Sequence, residues 1–212
     1  MITEFIQRLE TGSREIFLSL TTPVKIQAFL DSIPYVGEDL NRSPLRLMQD
    51  RQGHCLDGGI FGALALQRIG YPPVIYDLVP EPNADDDHVL AIFRVKGRIG
   101  AVAKSNFSGL RYREPIYRSL RELAMSYFED FFNIRAEKTL RAYTRPVNLS
   151  RFDRYNWMWS EEGVERISRR LYSLKPIPLL SPESAAALAA VDQRAYEAGF
   201  LGTNYDGLFK LQ

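Results

Sequence analysis

The chain has 212 residues, 45% hydrophobic and 25% charged, with a net charge of +1. That composition gives one globular domain a full core and excludes a disordered chain, while near-neutrality gives no global reason to bind nucleic acid or an anionic membrane. One cysteine excludes a disulfide scaffold, and with only two histidines beside it a four-ligand structural zinc site is not expected either. No run approaches the ~18 apolar residues of a membrane span, and the opening MITEFIQRLETGSREIF lacks a basic segment followed by an apolar block. The expectation is a soluble cytoplasmic protein with no cofactor and no metal.

In chain order, TPVKIQAFLDS sets Ile26, Phe29 and Leu30 on one helical face behind a Thr-Pro start. IPYVGEDLNRSPL reads as loop, with Ser43-Pro44 opening the short helix LRLMQD. From Cys55 to Ile69 the sequence is apolar nearly all round, which predicts a buried helix. Gly58, Gly59 and Gly62 allow close backbone packing, and Gly70 with Pro72-Pro73 ends the helix. Val74 to Val79 reads as a strand. After the acidic loop PEPNADDD, HVLAIFRV and IGAVAKSN read as antiparallel strands around Lys96-Gly97-Arg98, which puts His88 at the opening of a hairpin.

With Lys96-Gly97 as a two-residue turn, opposed residue numbers sum to 193 and His88 faces Ser105. A three-residue turn would bring Asn106 opposite instead. Further on, the spacing of Tyr117, Leu120, Leu123, Ala124, Tyr127, Phe128, Phe131 and Phe132 predicts one strongly amphipathic core helix. NWMWSEEGVERISRRLYSL reads as a helix, KPIPLLSP as a connector and ESAAALAAVDQRAYEAG as a final helix. Residues 136–212 are therefore expected to form a helical extension packed on a core spanning 1–135.

A thiol at a helix N-terminus gains from unpaired N–H groups and the positive end of the macrodipole, which predicts a lowered Cys55 pKa. His88 could supply the proton transfer that a thiol nucleophile needs. His54, directly before the helix, fits a loop or capping role. Asp85, Asp86 and Asp87 read as solvated loop acids, with cation binding the lesser alternative. For Arg111, Arg113, Arg118 and Arg121, salt bridges to Glu114, Glu122 or solvent are expected ahead of an anion pocket.

The stretch IPYVGEDLNRSPLRLMQDRQGHCLDGGIFGALALQRIGYPPVIYDL, followed after the acidic loop by HVLAIFRV, resembles the transglutaminase-like superfamily of papain-fold cysteine enzymes. KSNFSGLRYREPIYRSLRELAMSYF resembles an uncharacterised bacterial branch of it. The resemblance covers residues 24 to 110. It implies an α+β fold with a buried helix carrying Cys55 packed on an antiparallel sheet. It further implies Cys55 as nucleophile, His88 as base and an oxyanion hole including the Cys55 N–H, to which Gln52 could add a side-chain donor. The sequence departs from the superfamily at the third member: GAVAKSN holds no aspartate, and Ser105 or Asn106 would have to orient the imidazole without charging it. The function implied is acyl transfer or hydrolysis at an amide or thioester carbonyl of a peptide, amide or acyl substrate, through a cysteinyl acyl intermediate. The alternative is a relative that binds without chemistry; the oligomeric state stays open.

Overall fold

The computed structural model describes residues 1–210. Helices α1 (Ile2–Arg8) and α2 (Thr11–Ser19) lead into α3 (Pro23–Ser32) and α4 (Pro44–Asp50). Each of the latter pair has proline in its first turn behind a hydroxyl cap. Thr22 accepts from the Lys25 N–H and Ser43 from the Arg46 N–H. Next come α5 (Cys55–Arg68), β1 (Val74–Pro80), β2 (His88–Val95), β3 (Arg98–Val102), β4 (Arg113–Tyr117) and α6 (Leu120–Met125). The chain continues with β5 (Leu140–Tyr143), β6 (Val147–Asn148), α7 (Glu161–Tyr172), β7 (Ile177–Pro178), α8 (Pro182–Ala186) and α9 (Gln193–Gly199). The strands form one antiparallel sheet in the order β4-β3-β2-β1-β5-β7, with β6 also paired to β1.

Both faces of the sheet centre are covered. Ile75, Val89, Ala91, Phe93 and Val102 alternate toward α5 and meet Leu56, Ile60 and Leu64. Tyr76, Leu90, Ile92 and Ala101 point the other way, toward Leu123, Ala124, Tyr127 and Phe131. The expected close approach of α5 is present. A Cβ at Gly58 would lie 2.1 Å from that of Lys104, and one at Gly59 would lie 2.7 Å from a Val89 methyl. A side chain at Gly59 would lift the helix off β2, and one at Gly58 would push it from the segment that follows β3.

Several expectations change. The long aromatic helix does not form: Tyr117 ends the edge strand β4, α6 has six residues, and Phe128–Asp130 is a 3₁₀ turn. The aromatic spacing instead serves packing on the outer sheet face, where Tyr127 and Phe131 are buried. The last expected helix is split into α8 and α9 because Asp192 accepts from the Arg194 and Ala195 N–H groups and caps a fresh start. Residues beyond 135 also supply β5, β6 and β7, so that stretch is not purely helical and the sheet runs across the expected boundary. Among the described residues no helix is long and apolar enough to cross a membrane.

Candidate active site

The first turn of α5 is fixed by a buried carboxylate. Asp57 accepts from the His54 N–H at 3.2 Å and from the Arg42 N–H at 2.7 Å, tying the preceding loop to the helix start. Arg42, itself buried, is held by Glu38 at 2.5 Å and Asp50 at 3.0 Å. His54 therefore takes the capping role expected of it, its ring turned to the Leu40 carbonyl at 3.1 Å. Cys55 follows as the first helical residue, 7% exposed, on the floor of a cavity of about 610 Å³ shared with Tyr35, Glu38, Asp86, Asp87 and Tyr172. Its thiol donates to the Asp87 carbonyl oxygen at 3.5 Å, and the Tyr35 phenol lines the same cavity.

The expected lowering of the Cys55 pKa is reversed. Burial pushes the thiol well above its ordinary value, the Asp87 charge pushes further the same way, and the Val89 N–H offsets only part of this. A helix terminus contributes about 0.3–1 kcal/mol, whereas burying a titrating group moves its pKa by up to roughly 3–5 units. Here burial wins.

His88 opens β2 opposite Leu78 of β1. Its ring lies among the aromatic side chains of the outer face, edge-on to Tyr127 at 6.3 Å and Phe131 at 6.5 Å. Nε2 lies 2.6 Å from the Leu110 carbonyl oxygen. A carbonyl can only accept, so Nε2 carries the proton and Nδ1 holds the lone pair of the neutral ring. Burial lowers the His88 pKa to about 4, against the opposing effect of the Leu110 bond. Among the described residues no hydrogen bond joins Cys55 to His88. Thiol and imidazole approach the same strand end from different sides, with the Asp87–His88 backbone between them.

The hairpin arithmetic holds, but its consequence does not. Lys96 and Gly97, both at positive φ, make a two-residue turn, and Val95 pairs with Arg98. Pairing nevertheless stops at Ala91–Val102, so Ser105 never faces His88. The cause is Lys104, a buried lysine whose ammonium donates to the Leu30 carbonyl at 2.9 Å and to the Ile33 carbonyl, drawing the chain off β2 toward the end of α3. Ser105 Oγ accepts from the Phe107 N–H, and Asn106 is engaged with Asn204. Neither hydrogen-bonds His88, and Gln52 does not line the Cys55 cavity. The orienting position beside the imidazole belongs to the Leu110 carbonyl, at the end of the 3₁₀ turn Ser108–Leu110. Arg113 steadies that turn by donating to the Gly109 carbonyl at 2.9 Å, and Tyr127 by donating to the Arg111 carbonyl at 2.8 Å.

The acidic loop is more than a solvated face. Asp85 accepts from Thr139 at 2.6 Å and burial raises its pKa to about 7. Asp87 is raised by burial to about 6. Asp77 of β1 faces the same side as Val89; it is 2% exposed, leaves Oδ1 without a partner, and is raised by burial and by Asp87. The described residues contain no group of three or more His, Cys, Asp and Glu side chains suited to a metal ion. Three of the four arginines find other partners than those expected: Arg111 pairs with Asp31 at 3.5 Å, Arg113 with Asp130 at 3.2 Å, and Arg121 donates to the Leu179 carbonyl, while the Arg118 side chain is exposed and its backbone N–H donates to Glu122 at 2.8 Å. Sequence reasoning passed over Tyr35, Tyr172, Asp77 and Leu110. Only Asp77 carried a signal, an acid inside the otherwise apolar strand VIYDLV.

No family model and no curated protein matches the chain. Among solved structures, Legionella pneumophila LapG is similar over 49% of this chain and 70% of that chain, at 16% identity and a TM-score of 0.37. Its EGTA-treated form covers 49% and 68% at 17% identity and 0.37, and its calcium-bound form 49% and 70% at 17% identity and 0.36. A likeness at that level carries no argument about chemistry.

Proposed function

We propose that this protein catalyses cysteine-dependent acyl transfer or hydrolysis at a carbonyl carbon, with Cys55 as nucleophile and His88 as base. The observation that carries this reading is the His88 tautomer. Nε2–H is committed to the Leu110 carbonyl, which leaves Nδ1 basic at the strand end where the Cys55 sulfur lies 3.5 Å from the adjoining Asp87 carbonyl. In the reaction the sulfur attacks the substrate carbonyl carbon, and the thiol proton passes to Nδ1 once the Asp87–His88 segment shifts to bring the ring to the sulfur's side, then from Nδ1 to the leaving group. Water or an amine then releases the acyl group from sulfur. The Cys55 N–H, at the first helical position, is the donor for the developing oxyanion. Because the Leu110 carbonyl orients the ring without a full negative charge, the imidazolium is stabilised less than beside a carboxylate. Gln52, Ser105 and Asn106 are assigned no part in this chemistry.

Intact-mass measurement after incubation with small thioester and activated-ester donors tests the reading. The expected result is one acyl group on Cys55 with turnover, both lost in Cys55→Ala. A second reading, a binding protein of the same fold without chemistry, is favoured by one observation: thiol and imidazole are both held neutral and are not bonded to each other. Absence of any acyl adduct on the folded protein would decide for it.

A further inference from the structure

The cavity above Cys55 and a small pocket holding His88 share one wall, made of Tyr35, Asp86, Asp87, Gly207 and Phe209. Two of those residues come from the segment that follows α9. We propose that Thr203–Lys210 is an internal strap lying in a polypeptide-binding groove between Asn106 and Cys55, and that it must leave before a polypeptide substrate reaches the thiol. The inference rests on the reading of Cys55 as the reacting group.

Asn106 holds the strap the way a side-chain amide reads a peptide backbone. Its Nδ2 donates to the Asn204 carbonyl at 2.8 Å while its Oδ1 accepts from the Asn204 N–H at 2.8 Å. Thr203 donates to the Asn106 carbonyl at 2.9 Å, and the Asn204 side chain donates to the Tyr35 carbonyl at 2.9 Å. Two of these four bonds read strap main chain, which any polypeptide of the right shape can offer, and two come from the Thr203 hydroxyl and the Asn204 amide, so the groove also favours polar side chains at those two positions. Size is restricted at one point. Gly207 passes directly over Gly37, where a Cβ on residue 37 would lie 2.9 Å from the Gly207 Cα, and a Cβ on residue 207 would meet the Tyr35 ring at 3.1 Å. The groove therefore favours a segment with glycine three residues after the one that Asn106 reads. Beyond Gly207 the strap lines the Cys55 cavity as far as Lys210.

The strap is tethered, so its local concentration is on the order of millimolar, and a substrate competes with it on those terms. Two full-length variants loosen it: Gly207→Val by crowding Tyr35 and Gly37, and Asn106→Ala by removing both amide bonds. The readouts are hydrogen exchange of residues 203–210 and the rate of Cys55 alkylation by iodoacetamide, neither of which needs the enzyme to turn over. We expect exchange in the strap to rise and alkylation to speed up at least about tenfold, with circular dichroism unchanged. About one millimolar free peptide of the sequence TNYDGLFK should slow alkylation of Gly207→Val again, and the same peptide with valine for glycine should not.

A released strap with unchanged alkylation would overturn the claim that it covers the thiol. A strap still protected in both variants would overturn the claim that these contacts hold it. Faster alkylation that neither peptide slows would overturn the polypeptide groove. Faster alkylation with no acyl-enzyme from any donor would uphold the strap while removing the proposed chemistry.

Discussion

The two sides of the β2 start hold opposite environments only one residue apart. On the α5 side stand Cys55, Asp77, Asp87 and the Tyr172 phenol facing Asp87, an acidic setting in which a thiolate is penalised twice, by burial and by neighbouring charge. On the outer side His88 sits among Tyr127, Phe131 and the Leu110 carbonyl, with Arg113 stacked 3.9 Å from the Tyr127 ring, and there an imidazolium is penalised by burial and by a nearby cation. Each side suppresses the charge its own titrating group would carry. Thiol and imidazole are therefore both held neutral, and the proposed reaction requires a proton to move as the sulfur attacks.

The largest effect should come from removing the basic nitrogen while keeping the outer side packed. His88→Gln retains comparable volume and a terminal N–H donor for Leu110, but no nitrogen that can take a proton. Acylation of Cys55 by a thioester donor should fall on the order of 10²–10⁴-fold, with the unfolding midpoint little changed. Stopped-flow acylation and thermal melts on one preparation read both. Undiminished acylation would assign the proton transfer to another group and end the two-sided account.

A smaller effect is expected on the acidic side. Asp87→Asn removes the second-largest cause of the raised thiol pKa and leaves the largest, burial. The midpoint of the pH profile of Cys55 alkylation should move down yet stay above that of a free thiol, with the thiolate fraction gaining about tenfold for each unit of the shift. A midpoint that stays put would mean the carboxylate does not act on the sulfur.

How far all this was legible in the sequence varies with the kind of interaction. The buried helix beginning at Cys55 was legible because three glycines in an apolar run leave little alternative to close packing on a sheet. The hairpin register was legible because Lys96-Gly97 fixes the count. The partner of His88 was not, since it is a backbone carbonyl that any residue at position 110 could have supplied. The early end of β3 depends on Lys104 finding two carbonyls more than seventy positions back in the chain, a long-range hydrogen bond with no local pattern. The burial of Asp87 depends equally on a fold that brings Tyr35 and Tyr172 over the acidic loop. Amphipathic spacing misled at Tyr117–Phe132 because a strand, a short helix and a 3₁₀ turn laid along one sheet face bury the same residues as a single helix would.

The smallest effect is a pair of opposed slopes in stability against pH. His88 has a folded pKa of about 4, below the unfolded value of roughly 6.5, so the folded protein binds fewer protons between those values. Its contribution is present above the unfolded value and is lost as pH falls through about 4. Asp87 has a folded pKa of about 6, above the unfolded value of roughly 3.9, so the folded protein binds more protons there. Its contribution is present below the unfolded value and is lost as pH rises through about 6. The windows overlap and the signs differ, so these two contributions oppose one another in the native protein, where Asp85 and Asp77 add to the Asp87 sense. Each substitution should unmask the other side. Plotted from pH 4 to pH 8, the unfolding midpoint of His88→Gln should fall more steeply with rising pH than that of the native protein, and that of Asp87→Asn should fall less steeply or rise. Slopes that shift in the same direction in both variants would show that the two sides of the strand start do not hold their groups in opposite senses, and the neutral-pair description would then fail at its electrostatic root.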